Sequence, residues 1–138
     1  MMQWNPYLNF NGRCEAAFNF YQRCLGGSIV AMVPYGDTPV AEHVSSEARG
    51  LIMHARLVLG NQVLMGGDAP PGMPFDGVRG NSVAVQVDTP EEAERLFQAL
   101  AENANVEMPM QETFWASRFG MLTDQFGIPW MINCEKQG

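Results

Sequence analysis

Residues 5 to 25, NPYLNFNGRCEAAFNFYQRCL, lie without a gap over residues 81 to 101, NSVAVQVDTPEEAERLFQALA. No other feature limits the possible folds as much, because a chain that repeats itself must build the same supersecondary unit twice. The register pairs Asn5 with Asn81, Glu15 with Glu91, Ala17 with Ala93, Phe20 with Leu96 and Tyr21 with Phe97. In the first copy Ala17, Phe20, Tyr21, Cys24 and Leu25 recur at helical spacing and form one apolar stripe. Gly26-Gly27 ends it. In the second copy Thr89-Pro90-Glu91-Glu92 reads as a capping box with proline at the first helical position, and Ala93, Leu96, Phe97 and Leu100 repeat the stripe.

Strand-like runs follow each helix: SIVAMVPY, LIMHARLVLG and NQVLMGG in the first half, VEMPMQETF, RFGMLTD and IPWMINCE in the second. Each half therefore reads strand-helix-strand-strand-strand, with Gly60 and Gly127 in the turns before the last strands. The fold class is α+β, with a first module over about 1–67, a Gly- and Pro-rich linker over 68–79 and a second module over about 80–138, all in one domain. Residues 36 to 50, GDTPVAEHVSSEARG, form the other irregular segment and read as a mobile flap that carries His43 into solvent.

Composition enters chiefly to exclude. With 8 Lys and Arg against 15 Asp and Glu, a net charge of −7 leaves no cationic footprint for nucleic acid or an anionic membrane. Three cysteines cannot all pair within one chain and are not spaced as a disulfide framework or a zinc site, so a reducing cytoplasm is expected. The opening MMQWNPYLNF has neither the basic segment nor the apolar run of a signal peptide, and no apolar stretch is long enough to span a bilayer.

Six motifs in order, PYLNFNG, CEAAFNFY with LGG, IMHARL, LMGGD and FWASRFGMLTDQFGIPWMIN, cover nearly the whole chain. In these it resembles the PhnB-like group of the vicinal oxygen chelate superfamily, which takes in glyoxalases, bleomycin resistance proteins and extradiol dioxygenases. The group more often carries DPFG and FWG where this chain has Gln125 and Ala116. The resemblance implies two βαβββ modules pairing into a curved sheet around a cleft, helices on the outer faces, and a homodimer. In metal-dependent members it implies a divalent cation held by His, Gln or Glu from the first and last strands of the modules. Carried over position by position, those ligand sites fall on Pro6, Ser82 and Met131, with Leu64 or Met65 at the fourth. None suits Mg, Mn or Zn, so no metal and no other cofactor is expected.

Strand alternation then gives the cleft face. Pro6, Ser82 and Met131 mark it, Leu8, Ala84 and Asn133 share it, and the alignment through Gly60 and Gly127 sets His54 with Met121 and Arg56 with Thr123. The expected ligand-binding residues are His54, Arg56, Ser82, Trp115, Met121 and Met131. His54 is either a titratable group tuned for proton transfer or a histidine hydrogen-bonded within the sheet. Trp115 is either a pocket rim or structural. Trp130 reads as core, Asp124 as a turn former, Cys24 and Cys134 as buried and inert, and Cys14, at a helix start, as the one thiol placed to react. Most of the ten methionines read as core filler.

Three functions stand open. One is a metal-free protein that holds or sequesters a small molecule in an apolar cleft with few polar groups. The second is an enzyme of the same fold, of isomerase, lyase or transferase type, that uses His54 or an unconventional metal site, and the third is an interaction subunit without a ligand of its own. No glycine-rich strand-to-helix turn of a nucleotide or S-adenosylmethionine site is present, since the GG pairs end a helix and a strand.

Overall fold

A computed structural model describes residues 2–70 and 72–136; Pro71 of the linker lies outside them. Both repeats fold as read, each into a strand, a helix and three further strands. The first module runs β1 (Tyr7–Phe10), α1 (Cys14–Leu25), β2 (Ser28–Pro34), β3 (Ile52–Leu59) and β4 (Gln62–Asp68). The second runs β5 (Val83–Gln86), α2 (Pro90–Leu100), β6 (Asn105–Gln111), β7 (Ala116–Thr123) and β8 (Pro129–Glu135). The sheets have the orders β1-β4-β3-β2 and β5-β8-β7-β6, in which β1–β4 and β5–β8 are the parallel pairs. The chain divides into compact units at Gly77 and Val78, and β4 extends through Asp68, the first residue expected in the linker.

Both apolar stripes face their own sheets. Ala17, Phe20, Tyr21 and Cys24 are buried on α1, joined by Phe18 and Cys14; on α2 Ala93, Leu96, Phe97 and Leu100 are buried. Helix packing requires a flat landing place on the sheet, and a glycine supplies it in each module. A Cβ at Gly66 would come within 2.7 Å of the Phe18 ring, and one at Gly120 within 2.7 Å of the Phe97 ring. Thr89 caps α2 by accepting from the Glu92 amide at 3.1 Å. The Glu92 side chain turns to Arg95, whose hydrogen bond holds its carboxyl below the usual carboxylate range.

The start of α1 has no cap of its own and takes one from the far end of the module. Asp68, buried at the end of β4, accepts from the amides of Gly12 and Cys14 with Oδ1, at 2.9 and 3.0 Å, and from Ile52 with Oδ2 at 2.8 Å. One carboxylate thus joins a helix start, a strand start and a strand end, and its charge suits the helix N-terminus. The segment 36–50 is a run of 3-10 turns. Tyr35 and Ala48 are buried at its ends, and the Tyr35 hydroxyl donates to the Asp68 carbonyl. His43 is exposed there, as expected.

Asp124 does the corresponding work in the second module. Its Oδ1 accepts from the amides of Phe126 and Ile128, and its Oδ2 accepts from the Trp130 indole at 2.8 Å. The acidic turn and the core tryptophan are therefore one construction.

Candidate functional site

Each sheet has a face covered by its helix and a face turned away from it, and the strand register assigns every residue to one or the other. In the second module Trp130, Ile132 and Cys134 are buried on the helix side of β8, which places Met131 and Asn133 on the helix-distal side. Cross-strand partners extend that side. Ala84 pairs with Met131 and Gln86 with Asn133 from β5; Met121 pairs with Met131 and Phe119 with Asn133 from β7. Ser82, exposed just before β5, continues the alternation of Ala84 and Gln86. Of the residues expected to bind ligand, Ser82, Met121 and Met131 thus share a face.

The polar groups at its centre are amides. Asn133 donates from Nδ2 to Gln86 Oε1 at 2.6 Å. The Asn133 Oδ1 is out of contact with solvent and has no hydrogen-bond partner among the described residues. Beside them lies an aromatic series: Phe119, buried, meets Trp115 edge-on at 5.3 Å, and Trp115 meets Phe114 at 4.8 Å. Trp115 is 45% exposed and Phe114 89%, so the series runs from the surface to the amide pair. Arg118 is turned to the helix side, where Glu94 of α2 pairs with it at 3.0 Å.

The first module corrects one expectation. Leu8 and Phe10 are 7% and 1% exposed and face α1: Phe10 packs on Phe18 and Tyr21, and Leu8 pairs with Gly66, which lies under Phe18. Leu8 is therefore on the helix side, with Pro6 in the same alternation, and the helix-distal residues of β1 are Tyr7 and Asn9. The repeat misleads by one residue here. Both strand-to-helix connections have three residues, but Arg13, the residue before α1, has ψ 9 where its counterpart Thr89 is extended at ψ 149, and Gly12 ahead of it adopts φ +90. The same spacing therefore delivers the two helices to strands of opposite parity. Of the fourth-position pair, Leu64 faces the helix core and Met65 the helix-distal side, paired with Tyr7 and Arg56.

His54 and Arg56 do lie on the helix-distal side, in register with Val33 and Ala31 of β2. The Tyr7 ring stacks against His54, centroids 6.2 Å apart and planes 27° off parallel, and its hydroxyl donates to the Met53 carbonyl at 3.2 Å. Tyr7 crosses Gly67 to do so; a Cβ there would come within 2.7 Å of the Tyr7 oxygen and 2.6 Å of the Met53 carbonyl. Burial and the nearby Cys14 and Tyr35 push the phenol pKa up, so Tyr7 is a neutral donor. Neither His54 nitrogen has a hydrogen-bond partner among the described residues, so the histidine is not tied into the sheet's bonding.

Cys14 is not the reactive thiol its helix-start position predicts. It is wholly buried, and burial together with the charges of Asp68 and Glu15 pushes its pKa up to about 12. The carboxylate that caps the helix reverses the effect of the helix end. Cys24 and Cys134 are buried as expected.

The donor set can be tested against a divalent cation. Among the described residues no three His, Cys, Asp or Glu side chains gather closely enough to hold one. In the first module the helix-distal side carries the phenol of Tyr7, the amide of Asn9, the His54 imidazole and the Arg56 guanidinium; in the second it carries the hydroxyl of Ser82 and the amides of Gln86 and Asn133, with Glu135 exposed at the end of β8. Taken module by module, neither a single imidazole beside a guanidinium nor a set of neutral amides and a hydroxyl fits a Mn, Ni or Zn centre.

Sequence reasoning missed Tyr7, Gln86 and Phe119. Tyr7 was hidden by the parity error; Gln86 follows Ser82 and Ala84 in the alternation of β5, but its pairing with Asn133, 47 residues on, shows only in the sheet register.

A family model for the Glyoxalase/Bleomycin resistance protein/Dioxygenase superfamily matches residues 5–132. Protein YjdN of Escherichia coli strain K12 is 37% identical over 145 residues, a match covering 99% of this chain and 97% of that protein. The crystal structure of protein PA1353 from Pseudomonas aeruginosa is 49% identical, covers 99% of this chain and 100% of that one, and superposes with a TM-score of 0.92. The PhnB protein from Bacillus cereus is 26% identical, covering 96% and 99%, with a TM-score of 0.78. No helix among the described residues is long and apolar enough to cross a membrane.

Proposed function

We propose, from the premise that this chain belongs to the glyoxalase/bleomycin resistance protein/dioxygenase superfamily, that it binds a small organic molecule on the helix-distal face of its second module, without a divalent metal. The observation that supports this is the chemistry of that face: neutral amides and a hydroxyl from Gln86, Asn133 and Ser82, set among Trp115, Phe119, Met121 and Met131. Aromatic and thioether surfaces with few oriented polar groups favour flat, uncharged ligands by area burial and stacking. The protein acts as a cytoplasmic homodimer that holds or sequesters its ligand.

The test is a panel of uncharged aromatic compounds, followed by tryptophan fluorescence and thermal shift, with and without EDTA. Saturable shifts that persist in EDTA are expected. Shifts seen only with added Mn, Ni or Zn, in stoichiometric amount by elemental analysis, overturn the metal-free reading.

One observation favours a second reading in the first module. His54, unbonded at both nitrogens and stacked on a neutral Tyr7 two residues before Arg56, is placed to move a proton in an isomerase, lyase or transferase reaction. Turnover by the purified protein that is lost in a folded His54→Ala variant distinguishes this reading from sequestration.

A further inference from the structure

The Asn133–Gln86 pair carries the binding reading further, to the chemistry of the ligand. A buried amide carbonyl with no partner is destabilising and uncommon in folded proteins. Asn133 Oδ1 is such a group, and it lies on the wall where ligand is expected rather than in the helix-side core. A leucine or methionine there would fill the same space without an orphan. Its neighbour on β5, Gln86, has its carbonyl occupied by the Asn133 Nδ2 and keeps its own NH₂ as a donor on an exposed side chain. Together the two side chains offer one acceptor and one donor, both uncharged.

We infer that the ligand is a planar heterocycle with a lactam or imide edge, an N–H beside a C=O, read by this amide pair. The inference rests on the binding reading above. The ligand N–H donates to Asn133 Oδ1, reached by a small rotation of that side chain, and the ligand carbonyl accepts from Gln86 Nε2. The ring stacks on Phe119, the cross-strand partner of Asn133, or on Trp115, which stands edge-on to Phe119. Charge argues the same way. A carboxylate or phosphate would need a cation at this spot, and Arg118, the nearest in β7, is held on the helix side by Glu94.

The probe pair is isoquinolin-1(2H)-one and its N-methyl derivative, which differ in the one N–H. Each is titrated against wild type, Asn133→Leu and Gln86→Leu by tryptophan fluorescence and calorimetry. Wild type should prefer the N–H compound by about tenfold, the order of one neutral hydrogen bond. Asn133→Leu should lose that preference to within about twofold while still binding the N-methyl compound, and in the absence of ligand it should melt higher than wild type because the orphan is gone. Gln86→Leu should weaken both compounds alike, and it carries the test if Asn133→Leu does not fold. Equal affinity of wild type for both compounds, or a preference that survives Asn133→Leu, overturns the assignment. Binding of other ring compounds but neither of these also overturns it and leaves the binding reading standing. If no ring compound binds, both fail.

Discussion

Single atoms decide several properties of this protein. The Cys14 thiol has its pKa raised from 9.0 to about 12, so the folded state keeps a proton that the unfolded chain releases above pH 9. That proton uptake stabilises the fold below pH 9 and no longer does as pH rises towards 12; Tyr7 and Tyr35, also raised, act in the same direction. Urea denaturation at pH 7, 9 and 10.5 should show stability falling above pH 9, with a shallower fall in Cys14→Ala. Gly67 is equally decisive, since the Tyr7 hydroxyl and the Met53 carbonyl close over it. Gly67→Ala should cost about 1–3 kcal/mol in urea denaturation through forced displacement of Tyr7 and the Met53 carbonyl. Gly50→Ala, where an added Cβ meets nothing within 4 Å, should change little. At this scale the sequence revealed the parity of β8, because Trp130, Met131, Ile132 and Asn133 alternate cleanly between large core and smaller or polar side chains. It did not reveal the Cys14 environment, since the perturbing carboxylate is 54 residues away along the chain.

The elements follow local rules wherever the signals are local. Both stripes are buried, proline opens α2, and Thr89 caps it. Thr89→Ala should therefore lower stability by about 1 kcal/mol, measured by thermal or urea unfolding. The first helix is a different case, because its cap is Asp68. Removing that carboxylate leaves the amides of Gly12, Cys14 and Ile52 without their partner at once. Asp68→Ala should cost about 3 kcal/mol or more, well beyond the Thr89 variant, and should loosen α1 and the start of β3 together in amide exchange. Nothing in the motif LMGGD distinguishes an aspartate that ends a strand from one that opens a linker. Only the contact made across the module does so, which is why the linker was read one residue early.

At the scale of the whole molecule, the duplicated modules and the family assignment carry the expectation of a homodimer. Light scattering should give twice the mass of one chain, and a monomer at all concentrations would sink that part of the proposal. The duplication itself was plain from the gapless alignment of 5–25 with 81–101, and the helix positions in it correspond in burial. The strand positions do not, because the first connection turns through Gly12 at φ +90 and Arg13 at ψ 9, where Thr89, the counterpart of Arg13, is extended. Anyone who builds a symmetric version by copying one half over the other at equal spacing would set Asn9 against the helix in place of Val85, or bring Phe10 to the exposed side in place of Gln86. The two copies have ceased to be interchangeable parts, and transplanting residues between them needs a one-position offset in the first strand while the helices stay aligned.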